Sequence, residues 1–142
     1  IGDNVTIKPG GSWGDNYSGT FGNCTSLKTV TIGENLKMPN NTWSAYWFRQ
    51  CTSLEKITVK SISEVGQNAF GAVGSALQGD IVINEGATIV GDRAFNGCSN
   101  ITSVNMPNTI ITIGGSAYRN CTNLKTAKLP DGIQTIGGRS IF

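Results

Sequence analysis

FGNCTSLKTVTIG (residues 21–33) returns in altered form as FRQCTSLEKITVK (48–60), FNGCSNITSVNMP (95–107) and YRNCTNLKTAKLP (118–130). A phrase that recurs about every two dozen residues marks a solenoid or propeller, because a unit so small buries its apolar side only against its neighbours. Aligning on the aromatic places Phe21, Phe48, Phe70, Phe95, Tyr118 and Ile141 in one column, with spacings of 27, 22, 25, 23 and 23. Nine residues after most of these comes an alternating pair: Val30 and Ile32, Ile57 and Val59, Val104 and Met106, Ala127 and Leu129. Alternation over three to five residues is a short strand with one buried face. Strands are therefore expected near 5–7, 30–32, 57–59, 81–83, 104–106 and 127–129, stacked in parallel because each coil completes a turn before the next begins.

The residues between the strands carry a second, weaker pattern. Pro9, Gly33, Pro107 and Pro130 follow strands and turn the chain. An apolar segment then runs into a glycine and a small residue ahead of the next aromatic, as in Val90-Gly91 to Ala94-Phe95 and Ile113-Gly114 to Ala117-Tyr118. Glycine in that column supplies either a positive φ or a close approach of successive coils. The unit from Phe70, FGAVGSALQGDIVIN, carries two extra residues and has Val73 where the others have cysteine.

Composition agrees with many short strands and tight turns. Of 142 residues 19 are glycine, and only 14% are charged. The 11 basic and 9 acidic residues are scattered singly, so no basic patch suggests nucleic acid. No apolar run is long enough to span a bilayer. Without histidine or a paired set of carboxylates, general acid–base or nucleophilic chemistry has no evident machinery, and the chain reads as a binding protein without enzymatic activity, cofactor or metal.

The pattern F-x-x-C-x-x-L-x-x-[VI]-x-[ILM]-P, followed by I-G-x-x-A-F, resembles the BspA-like (Treponema pallidum-type) leucine-rich repeat over essentially the whole chain, most clearly from residue 86 onward. The fold expected is thus an α/β repeat solenoid: a right-handed leucine-rich-repeat coil with short parallel strands, one per repeat of about 23–27 residues, and few short helical turns. Residues 1–142 read as a single array of about six strands, a segment of a longer solenoid. The resemblance also implies a bacterial, extracellular or cell-surface setting and adhesion to host or bacterial proteins.

Cys24, Cys51, Cys98 and Cys121 share one column, three residues before Leu27, Leu54, Ile101 and Leu124. No CxxC pair or histidine accompanies them, which disfavours a metal site. Disulfides between adjacent coils would force parallel side chains to converge. A ladder of buried thiols acting as small hydrophobes is the preferred reading, with Val73 an acceptable substitute.

Two surfaces are candidates for recognition. The first is the outward row of the strands, Thr6, Thr31, Thr58, Val82, Asn105 and Lys128, with Thr29, Lys56, Ser103 and Thr126 beside it; it suits a protein partner met over a broad area. Threonine is also a good exposed strand former, so only the row as a whole carries the hypothesis. The second is a group of loop aromatics, Trp13, Tyr17, Tyr46 and Trp47, which would stack on a carbohydrate. Trp43 stands where Ile113 does relative to its aromatic and reads as core. A passive spacer is the third reading.

Overall fold

Alternation of β-branched and polar residues produces the first strand of each coil, as expected. These strands are β1 (Asn4–Ile7), β2 (Thr29–Ile32), β4 (Lys56–Val59), β6 (Gln78–Val82), β8 (Asn100–Asn105) and β10 (Thr126–Ala127). The computed structural model describes residues 4–7 along the backbone, then 21–38, 48, 50–71, 73–139 and 142. In β4 the pattern is strict: Ile57 and Val59 are buried while Lys56 and Thr58 face out.

Where the sequence suggests one strand per coil, the structure has a second. It consists of β3 (Leu36–Met38), β5 (Ile62–Val65), β7 (Ile89–Val90), β9 (Thr112–Ile113) and β11 (Thr135–Ile136). These five form one continuous parallel sheet in the order β11-β9-β7-β5-β3. The segments are too short for their alternation to stand out, and it is stacking on the coil before and after that completes their hydrogen bonds. Helix is nearly absent among the described residues; Gly74–Ala76 makes one 3-10 turn.

All the stacking is parallel, and it is in register except at Leu36/Lys37 and Gly79/Asp80, where the pairing shifts. Val5 faces Val30 and Val30 faces Ile57; Ile81 faces Val104 and Val104 faces Ala127. The first-position strands nevertheless divide into two sheets of three, β1-β2-β4 and β6-β8-β10. Between them a single bridge pairs Ile57 with Leu77, and alignment recovers at Ile62 and Ile83. The extra residues of the unit that begins at Phe70 are the cause: they shift β6 along its neighbour, so side-chain columns no longer coincide there.

Columns of identical residues meet in one interior. Phe70, Phe95 and Tyr118 are fully buried, together with Ile57, Ile62, Val90, Ile101 and Ile113. The rings stack coil on coil at 5.4 Å (Phe21 on Phe48), 5.3 Å (Phe70 on Phe95), 5.2 Å (Phe95 on Tyr118) and 5.7 Å (Tyr118 on Phe142). Phe142 carries the ring stack on from Tyr118; Ile141, read from the sequence as the next member of the column, lies outside the described residues. The hydroxyl that distinguishes Tyr118 from its phenylalanine neighbours donates to the Met106 sulfur at 3.7 Å.

The recurrent glycine serves close approach. A Cβ on Gly91 would run into the backbone of Gly66 and Gln67, and one on Gly114 into the backbone of Gly91 and Asp92. Positive φ falls two residues later, on Asn68 (53°), Arg93 (53°), Ser116 (57°) and Arg139 (67°). There it turns the N–H forward: Asn68 donates to the Asp92 carbonyl, Arg93 to Gly115 and Ser116 to Arg139. A left-handed residue per coil is thus held by one intercoil hydrogen bond.

Candidate functional site

Strand register decides which outward residues form a surface. Thr6, Thr31 and Thr58 lie directly side by side on β1, β2 and β4, with Thr31 and Thr58 exposed. Lys56 is exposed beside Thr29 on the neighbouring row. Val82, 38% exposed at the end of β6, faces Asn105 at the end of β8, and Lys128 follows the last pair that β10 makes with β8. The expected single row is in this way two triplets, parted where the first sheet divides.

On the second triplet the register bulges. Gly79 faces Ile101 and Asp80 faces Ser103, which leaves Thr102 unpaired on β8. Both hydroxyls then converge on Asp80, Ser103 at 2.6 Å and Thr102 at 2.8 Å. Those two hydrogen bonds, that from Ser103 first, hold the Asp80 carboxyl below the usual carboxylate range. Pattern reading missed Asp80 because it aligns with Ser103 only once the bulge is known.

Beyond the triplet the chain opens a groove of about 370 Å³, lined by Asn84, Glu85, Asn105, Asn108 and Lys128 over an apolar floor that includes Met106 and Leu129. Ladder pairing between β8 and β10 ends at Val104 and Ala127, and Pro107 and Pro130, which have no N–H to donate, follow. Proline at both positions removes one backbone donor from each coil where the two part. Sequence reading found Asn105 and Lys128 but not Asn84, Glu85 and Asn108, which lie on the turns after the strands.

The cysteine column has a sharper role than filling space. Three of the four thiols reach back to the carbonyl of the preceding aromatic of the column: Cys51 to Phe21 at 2.9 Å, Cys98 to Phe70 at 3.5 Å and Cys121 to Phe95 at 3.1 Å. All four cysteines are free thiols, with Cys51 and Cys98 buried and Cys24 and Cys121 half-buried. The S–H is a weak donor, but it satisfies a carbonyl lone pair, which the valine at position 73, having no donor, cannot do. Burial raises the thiols of Cys51 and Cys98, and pushes Cys121 up to about 11 from its ordinary value of about 9.

Two results follow from this geometry. In native protein at pH 8, iodoacetamide should label Cys24 first, Cys51 and Cys121 more slowly because burial raises both thiols, and Cys98 only on unfolding; peptide mass mapping checks the order. Because the folded state keeps these protons, the thiols' contribution to stability is complete below pH about 9 and fades as pH climbs toward about 11, the value for Cys121. A melting temperature that rises over that interval would contradict it.

Among the described residues, no three His, Cys, Asp or Glu side chains come together as metal ligands, and no helix is long and apolar enough to cross a membrane. Trp13, Tyr17, Trp43, Tyr46 and Trp47, the loop aromatics of the carbohydrate reading and the residue read as core, lie outside the described residues.

Comparison with solved structures shows the same fold. A leucine-rich repeat protein from Bacteroides ovatus ATCC 8483 superposes with a TM-score of 0.57 at 22% identity, over 95% of this chain and 33% of that one. The T. pallidum leucine-rich repeat protein gives 0.56 at 20% identity, over 94% of this chain and 66% of that one. The chain thus spans about a third and about two thirds of their lengths. Comparison with curated proteins gave no match. The family model of the BspA type leucine rich repeat region matches residues 16–78 and 41–142 in 6 copies. Repeated phrase, stacked parallel coils and family match agree, and the chain belongs to the BspA-type leucine-rich-repeat family.

Proposed function

We propose that this chain is the recognition segment of a bacterial surface or secreted protein, and that it binds a protein partner on the outer face of its first-position strands. Leucine-rich repeats generally mediate protein interaction, which supports the class of function. The observation that carries the reading to particular residues is the register. Thr31 beside Thr58, and Val82 beside Asn105, stand exposed on a ladder that is already ordered, and exposed Lys128 follows directly after it. A partner meeting this face orders little backbone on binding, which favours association over a broad polar surface.

The test uses two probes, an array of purified extracellular and serum proteins and a glycan array. A protein hit should lose about tenfold or more in affinity with Thr31→Lys, Thr58→Glu and Asn105→Lys combined, while circular dichroism stays unchanged. A protein hit indifferent to those substitutions removes the strand face as the site. Glycan binding that survives them transfers the function to carbohydrate recognition, and silence on both arrays favours a spacer.

A further inference from the structure

The geometry points to the groove at the ends of β8 and β10 as the centre of recognition, where it takes an extended peptide segment of the partner with a carboxylate against Lys128 and a cation against Glu85. This rests on the protein-binding reading above and narrows it.

Hydrogen-bonding capacity is unevenly distributed on this side of the solenoid. Gln78 donates its amide to the Glu55 carbonyl, Asn84 to Asn35 and Ser61, Asn100 to the Ser75 carbonyl and Asn123 to Asn100. The Asp80 carboxylate already holds two hydroxyls. Asn105 and Asn108 differ: both are exposed, and among the described residues no side-chain hydrogen bond engages either amide. Each offers a donor and an acceptor side by side, the same pair that an extended backbone presents. Both line the groove.

The remaining walls narrow the class of ligand. Leu129, 41% exposed, and the edges of Met106, Pro107 and Pro130 make an apolar strip for a side chain. Among the described residues no aromatic ring lines the groove, so none of them gives a pyranose a face to stack on. Charge is split between its ends: Lys128 belongs to the coil that begins at Tyr118, and Glu85 to the coil that begins at Phe70. Two coil spacings are about 10 Å, and Glu85 also stands three positions past Val82, the counterpart of Lys128, so an extended chain covers the distance in about three to five residues. The occupant therefore carries an acidic and a basic residue at that separation.

A random dodecapeptide library displayed on phage and selected on the intact chain tests this. Enriched sequences should share an acidic and a basic residue at that separation. Their affinity should fall about tenfold or more with Lys128→Glu or with Asn105→Ala combined with Asn108→Ala, and stay unchanged with Arg119→Glu, an exposed charge of the same coil outside both the groove and the strand face. Replacing the peptide's acid with lysine should restore binding to Lys128→Glu. If selected peptides ignore the groove substitutions but are lost with Thr31→Lys and Thr58→Lys, the groove is overturned and protein recognition by the strand face stands. If no peptide is enriched, or groove-dependent binding is found only on a glycan array, the peptide assignment is overturned.

Discussion

A Gly114→Ala variant should lose about 3 kcal/mol of stability or more, a large share of the roughly 5–15 kcal/mol that holds a domain together. The new Cβ would sit inside van der Waals distance of the Asp92 amide, and 2.6 Å from the Gly91 carbonyl carbon and the Asp92 carboxylate. The obstacle is mostly backbone, so no rotamer change relieves it. Neither can the coils separate locally, since Gly114 donates to the Val90 carbonyl at 2.7 Å and Gly115 to the Asp92 carboxylate at 2.7 Å. Gly138 is the internal control, because a Cβ there meets nothing within 4 Å. Gly138→Ala should be neutral, or stabilising by about 0.4–1 kcal/mol through the unfolded chain. Urea midpoints decide the matter: equal midpoints for the two variants would mean that the coils do not pack as closely as described.

Phe95→Ala should be as damaging for a different reason. Phe95 is fully buried between Phe70 at 5.3 Å and Tyr118 at 5.2 Å. Removing a buried ring costs about 3–5 kcal/mol in transfer and cavity terms. A solenoid's stability is a sum over coil interfaces, and this ring serves two of them. The expected unfolding curve therefore separates into two steps, with the coils on either side of Phe95 melting independently. Phe142→Ala, at the 56% exposed end of the stack, should cost about 1 kcal/mol or less. A single transition in Phe95→Ala with an unchanged midpoint would remove the shared aromatic column as the source of cohesion.

Both variants lie in columns that were visible in the sequence, yet what each column does was only partly legible. The phenylalanine column announces itself, because the same ring at each return implies stacking whatever the surrounding geometry. The glycine column is ambiguous from sequence, since positive φ and close approach both demand glycine. Asn68, Arg93, Ser116 and Arg139 resolve it by taking the positive φ themselves. For the cysteines, one spacing is compatible with a small hydrophobe and with a thiol donor, and only the Phe21, Phe70 and Phe95 carbonyls within reach distinguish them.

Repetition by itself determined that short parallel strands stack into a solenoid, which positions point inward in the coils before Tyr118, and that Thr31, Thr58, Asn105 and Lys128 point out. Periodicity encodes these because each is a property of one coil, copied. In the coil from Tyr118 the expected inward pair fails, since β10 ends at Ala127 and Leu129 is exposed. Tertiary structure alone decided what depends on the offset between coils. It divided the first sheet after β4, gathered Thr102 and Ser103 onto Asp80, and opened the groove between Asn105 and Lys128. An offset is set by how whole coils of unequal length settle against one another under packing and hydrogen-bond constraints, and no stretch of sequence carries it alone.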